Sequence, residues 1–139
     1  GYIMVRMLFV SYGNACRSVM AEAIARNKLK GLAEVSSAGV NPDGPGDPAM
    51  AIETLRTHFD IDVSGHIPRS IVTVDLSAID CVVAMSSKIV KSLPSVSCKL
   101  LVWDIKDPWF DDPEGYLDCA KEIDREISVL AMGLKYMRI

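Results

Sequence analysis

The chain has 139 residues, of which 50% are hydrophobic, 24% charged and 6% aromatic, and fifteen basic against eighteen acidic residues leave a formal charge of −3. Such a length suits one domain that buries its own core, and the apolar content excludes intrinsic disorder. The acidic balance speaks against a nucleic-acid partner, although it leaves room for a small local anion site.

In chain order, Val5 to Val10 is apolar except for Arg6, as expected of a strand covered on both faces. After a short polar loop, Ser18 is placed to cap a helix reaching about Lys30, with Met20, Ala21, Ile24 and Ala25 on its inner face. Glu34 to Ser37 reads as a second strand, and the glycines and prolines between Gly39 and Asp47 as a loop. Asp47-Pro48 opens a helix whose apolar face carries Ile52, Leu55 and Phe59. Ile79 to Met85 is a third, buried strand, and Ser86 caps a short helix ending near Pro94. Lys99 to Trp103 is the fourth strand, 104–113 an acidic loop, and a last helix from about Glu114 turns Leu117, Ala120, Ile123, Ile127 and Leu130 inward. The alternation predicts one α/β domain in three layers, a four-stranded parallel sheet with helices on both faces. In such sheets ligands bind at the carboxyl ends of the strands.

No apolar run approaches the roughly 18 residues of a membrane span, and no signal peptide is visible, so neither a membrane partner nor export is expected. Cys16, Cys81, Cys98 and Cys119 form no Cys-x-x-Cys pair and have no His cluster beside them. That pattern argues against zinc and for a reducing, cytoplasmic location. The chain opens Gly1-Tyr2-Ile3 ahead of Met4, and residues 1–3 read as a cloning remnant before a single domain over 4–139.

The first loop, Ser11-Tyr12-Gly13-Asn14-Ala15-Cys16-Arg17-Ser18, runs from the first strand into the first helix. A helix N-terminus offers unpaired N–H groups and a positive dipole end, which attract anions. Gly13 and Asn14 tolerate positive φ and let the loop curl, and Arg17 adds a planar fork for two oxygens of a phosphate. The loop is not the ATP-binding type, since it lacks the Gly-x4-Gly-Lys pattern. An ordinary strand–helix turn with a surface arginine would satisfy the spacing equally well.

The segment 10–18, followed by Met20-Ala21-Glu22, resembles the signature of the low-molecular-weight protein tyrosine phosphatases, in which Cys-x5-Arg-Ser ends the first strand. Ser36-Ser37-Ala38-Gly39 resembles that family's Ser-Ala-Gly, Ser64-Gly65-His66 with Arg69 its Ser-x-His-x-x-Arg, and Asp107-Pro108-Trp109 its general-acid loop. The resemblance implies hydrolysis of phosphotyrosine in protein substrates through a cysteinyl-phosphate. The catalytic positions are then 11, Arg17 and Asp107. Residues 12 to 18 (Tyr12, Gly13, Asn14, Ala15, Cys16, Arg17 and Ser18) bind the phosphate or another oxyanion, and Ser37 and His66 support the loop. Tyr12, Trp109 and Phe110 flank the pocket. Asp104, Asp111 and Asp112 are rivals to Asp107; Pro108 stiffens the latter and Trp109 can wall an aromatic substrate. No metal or cofactor is needed, because the loop amides and Arg17 supply the positive potential.

Position 11 departs from that pattern, being serine where the resemblance calls for cysteine. A serine hydroxyl without an adjacent base is a weak nucleophile, so this form is expected to bind phosphate and turn over little or nothing. The complete set of other motif residues favours a cysteine-to-serine substitution; the alternative is a naturally inactive phosphate-binding or phosphotyrosine-binding module. A relative of the arsenate reductases is less consistent, because 86–93 holds no cysteine to resolve an intermediate.

Overall fold

A computed structural model describes residues 3–44, 46–108 and 112–138, so Trp109, Phe110 and Asp111, together with Gly1 and Tyr2 of the opening tripeptide, lie outside the described residues. The elements are β1 (Val5–Ser11), α1 (Arg17–Lys28), β2 (Ala33–Gly39), α2 (Ala49–Phe59), β3 (Cys81–Ala84), β4 (Lys99–Val102) and α3 (Pro113–Tyr136). Three 3-10 turns, Ile71–Thr73, Leu76–Ala78 and Ser87–Ser92, complete the described elements. All four strands are parallel, in the order β2-β1-β3-β4.

Strand β1 is central, and its alternating side chains build two cores. Met7 and Phe9 pack with α1, α2 and α3 around Met20, Ile24, Leu55, Ile123 and Ile127. Leu8 and Val10 point to the opposite face, under Ile71, Val82 and Ile89 and the 3-10 turns. Helical segments therefore cover both faces, α-helices on one and 3-10 turns on the other. Two of those turns escape a reading of periodicity, because three residues are too few to show a period. Their starts are local: the Ser70 hydroxyl accepts from Val72 N–H and the Asp75 carboxylate from Ser77 N–H.

Several element ends differ from expectation. β2 runs on to Gly39, because parallel pairing with β1 extends to the couple Ser11–Gly39. Ser18 does not cap α1; Cys16 stands at that position with no side-chain cap bond, and Ser18 is buried within the first turn. The Asp47 carboxylate does accept from Ala49 N–H at 2.9 Å, with Pro48 as the boundary residue of α2. On α3, Tyr116 and Cys119 are buried while Leu117 is only half-buried, a small rotation of the predicted face.

The chain leaves β1 for β2 on one side and returns to β3 on the other. The carboxyl end of β1 thus lies at the switch point where such sheets bind ligands. Gly39 fits β2 against the turn there. A Cβ on it would meet Asn14 N at 2.8 Å and Gly13 C at 2.9 Å, both backbone atoms with no freedom to retreat. Gly39→Ala is expected to cost about 1–3 kcal/mol in urea denaturation and to weaken phosphate binding in the same variant. Unchanged stability and affinity would show that the turn is not held by this contact.

Candidate active site

The turn between β1 and α1 is organised around Asn14, which is fully buried and adopts φ 53°, the left-handed region that asparagine tolerates. Gly13 was expected to share that role, but its φ is not positive; the curl is made at Asn14 alone. The Asn14 side chain makes three hydrogen bonds. Its Nδ2 donates to Ser18 Oγ and to Ser37 Oγ, each at 2.9 Å, while its Oδ1 accepts from Arg69 N–H at 3.1 Å. The backbone carbonyl of Asn14 accepts from His66 Nε2 at 2.8 Å, which fixes the proton on that ring nitrogen.

Further bonds extend this centre. Ser37 Oγ, already accepting from Asn14, donates to Glu22 Oε1 at 2.6 Å, and Arg69 Nε donates to the Ser37 carbonyl at 2.9 Å. Ser18 Oγ lies 2.6 Å from Ser11 Oγ. Backbone bonds bind the outer strand to the loop, from Val40 N–H to the Ser11 carbonyl and from Asn41 N–H to the Tyr12 carbonyl. Among the described residues, no backbone N–H from 12 to 16 donates to a protein group. A loop whose buried Asn14 and Ser18 side chains are bonded from behind while its amides stay available is suited to an external oxyanion.

Ser11, Tyr12, Ala15, Arg17, Asp107 and Tyr116 line a cavity of about 300 Å³ at this turn. The Arg17 side chain is 12% exposed, its Nη1 donates to the Ile105 carbonyl at 2.9 Å, and its Nε lies 3.6 Å from Asp107 Oδ1. One N–H group of the guanidinium is thereby anchored, Nε faces Asp107, and among the described residues Nη2 has no protein acceptor. Asp107 is 66% exposed, so its carboxyl meets both solvent and the cavity. Its rival Asp104 is occupied instead, accepting from Ser87 N–H at 3.0 Å and from the Ser87 hydroxyl. Those bonds hold the Asp104 carboxyl below its usual range. Asp112 stands before α3 and makes no side-chain cap bond, and Asp111 lies outside the described residues.

Cys16 is the one thiol on the loop. Hydrogen bonding with the Cys119 thiol on α3 and burial push it upward, against the opposing pull of Arg17. It is therefore protonated at neutral pH and unsuited to attack. Tyr116 is pushed up to about 12, first by burial and then by Cys16 and Asp107. Cys81 and Cys98 sit at the amino ends of β3 and β4, the opposite edge of the sheet from Ser11. Among the described residues, no cluster of His, Cys, Asp and Glu could hold a metal ion, and no helix is long and apolar enough to cross a membrane.

The structure thus brings Ser11, Arg17, Asp107, Tyr12, Ser37 and His66 to one turn. Trp109 and Phe110, expected at the pocket mouth, lie outside the described residues. Residues that sequence reading did not single out include Glu22, which anchors Ser37, and Asn41, whose Nδ2 donates to the Tyr12 hydroxyl at 3.0 Å.

The profile of the family described as "Low molecular weight phosphotyrosine protein phosphatase" matches residues 6–138. The low molecular weight protein-tyrosine-phosphatase YfkJ of Bacillus subtilis is 36% identical over 68% of the chain, and the matched part spans 64% of YfkJ. Arsenate reductase 2 of Staphylococcus saprophyticus is 35% identical over 77% of each chain. Among solved structures, the YwlE arginine phosphatase of Geobacillus stearothermophilus superposes with a TM-score of 0.83 at 30% identity, covering 96% of this chain and 95% of that one. A cysteine-to-serine mutant of YwlE arginine phosphatase with a phosphorylated active site serine gives 0.80 at 27% identity, covering 94% and 96%.

Removing the Asn14 side chain tests whether it is the keystone of the turn. Asn14→Ala leaves Ser18, Ser37 and the Arg69 N–H each short of a partner, at about 1–3 kcal/mol per buried group left unpaired. Chemical denaturation should show the loss, and calorimetry should show phosphate affinity falling with it. A stable variant with intact affinity would place the organising role elsewhere.

Proposed function

Because this chain belongs to the low molecular weight phosphotyrosine protein phosphatase family, we propose that its turn 11–18 binds the phosphate of phosphotyrosine in proteins, and that with cysteine at position 11 it hydrolyses that ester. The observation that carries the reading is the set of N–H groups at residues 12–16 that have no partner among the described residues, beside Arg17 and near Asp107. In this mechanism the thiolate of a cysteine at 11 attacks phosphorus, and the phosphorus–oxygen bond to tyrosine breaks. The amides and Arg17 hold the equatorial oxygens as negative charge shifts toward the leaving oxygen. Asp107 gives that oxygen its proton, then takes one from the water that releases phosphate and restores the thiolate.

Ser18 fits this role for position 11. Its hydroxyl already accepts from Asn14, so its own proton is free to point at the atom on residue 11. Such a donor favours a thiolate there. Among the described residues the hydroxyl of Ser11 has Ser18 as its one side-chain partner and no base to take its proton, so the serine form binds and does not turn over. The phosphorylated serine of the YwlE mutant supports the same placement of Ser11 at the attacking position. We read Ser11 as a replacement for that cysteine, and the reaction as cytoplasmic, in keeping with four free cysteines. Cys81 and Cys98, at the far edge of the sheet, are out of reach of residue 11, which speaks against an arsenate-reducing relay.

Ser11→Cys should acquire phosphatase activity on p-nitrophenyl phosphate that persists in chelator and is abolished by iodoacetate, while the parent chain binds phosphate without turnover. Assays on phosphotyrosine and phosphoarginine peptides then identify the substrate. An inactive Ser11→Cys protein that still binds phosphate would leave a binding module.

In that background, Asp107→Asn should slow phosphotyrosine hydrolysis by about 10²–10⁴-fold, and an ester with a strongly acidic leaving group far less. Only the poor leaving group needs the proton. Equal slowing of both would make Asp107 a loop-positioning residue.

A further inference from the structure

A second groove, of about 580 Å³, adjoins the first and shares Tyr12, Arg17 and Asp107 with it. Its far wall comes from the 3-10 turn after β3 and the segment after β4, and brings Lys88, Lys106, Ser86 and Ser92 to one place. The acids and bases there are unevenly engaged. Asp104 is bonded to Ser87 and Asp107 faces Arg17, whereas neither Lys88 nor Lys106 has a carboxylate within ion-pair distance among the described residues. Both lysines are exposed. They stand over a floor that is rigid for a surface feature, since Ile89 and Ile105 are buried and the Ile105 carbonyl is tied to Arg17.

We propose that this groove is a second anion subsite, in which Lys88 and Lys106 take a carboxylate or phosphate borne by the peptide beside the phosphotyrosine. The inference rests on the phosphotyrosine reading above and adds to it the class of protein substrate. Tyr12, between the two cavities, would then separate the phosphotyrosine ring from the flanking anion. Two exposed charge contacts contribute modestly and weaken with salt. The subsite therefore ranks substrates and leaves the chemical step untouched.

The Ser11 chain itself serves for the test, as a non-hydrolysing binder. Fluorescence anisotropy would compare phosphotyrosine peptides flanked by alanines, by glutamates, or by a phosphoserine, each against the Lys88→Met/Lys106→Met double variant. The anionic peptides should bind the parent roughly three- to tenfold more tightly than the alanine peptide, a preference that shrinks at high salt. The double variant should lose the preference and keep its affinity for the alanine peptide. Preference for the phosphoserine peptide alone would assign the subsite to a second phosphate, and preference for both to any flanking anion. Equal affinity of the parent for all three, or a preference surviving in the double variant, would overturn the subsite. No binding of any phosphotyrosine peptide, with free phosphate still bound, would overturn the underlying reading and the subsite with it.

Discussion

The site depends on one buried amide. Asn14 holds a left-handed backbone conformation in the middle of the β1–α1 turn, and its side chain is bonded to α1 through Ser18, to β2 through Ser37 and to the 66–70 segment through Arg69. A buried polar group that lost these partners would cost more than each bond returns, so the network behaves as a unit. Its effect is to satisfy the turn from behind. The Asn14 and Ser18 side chains and the carbonyls of Ser11, Tyr12 and Asn14 find protein partners, and among the described residues the amides of 12 to 16 do not.

That division places the rest of the architecture in a chain of causes. β1 is central and buried on both faces, so its carboxyl end is fixed by two cores. Gly39 allows β2 to run alongside the turn at a distance no side chain would permit. The segment after β4 then supplies the Ile105 carbonyl that anchors Arg17 and the carboxylate of Asp107 that faces it. An arginine anchored at one nitrogen is positioned before a ligand arrives, which lowers the ordering cost of binding. Asp107, by contrast, stays largely solvent-exposed, as suits a group that must exchange protons with water.

Much of this was legible in the amino-acid sequence because the determinants are local. The apolar stretch Met7 to Val10, the Pro-Gly loop after β2 and the spacing on α3 each announce an element by a pattern of neighbours. The loop chemistry was legible for the same reason, since Asn14, Arg17 and Ser18 stand within a few residues of one another. Ser18 shows the limit of such reading. Its residue type suits a helix cap, yet the fold turns it inward to join Asn14 with Ser11, a use that depends on tertiary contacts. The partner of Glu22 was illegible for a like reason: Ser37 is distant in sequence and becomes adjacent only when α1 packs beside β2. The 3-10 turns that cover the second face have no period to detect, and Ser86, Asp104 and Ile105 acquire their roles from that packing.

The central claim is that the amides of residues 12 to 16 are an oxyanion cradle while position 11 is serine. The most direct measurement is a titration of inorganic phosphate into the ¹⁵N-labelled chain, followed by amide NMR. The account predicts saturable shifts concentrated at the N–H groups of 12–17 and at Arg17 Nε, with Asn14 side-chain signals little changed because its bonds lie behind the loop. Shifts confined to the lysines of the outer groove, or none at all, would contradict it.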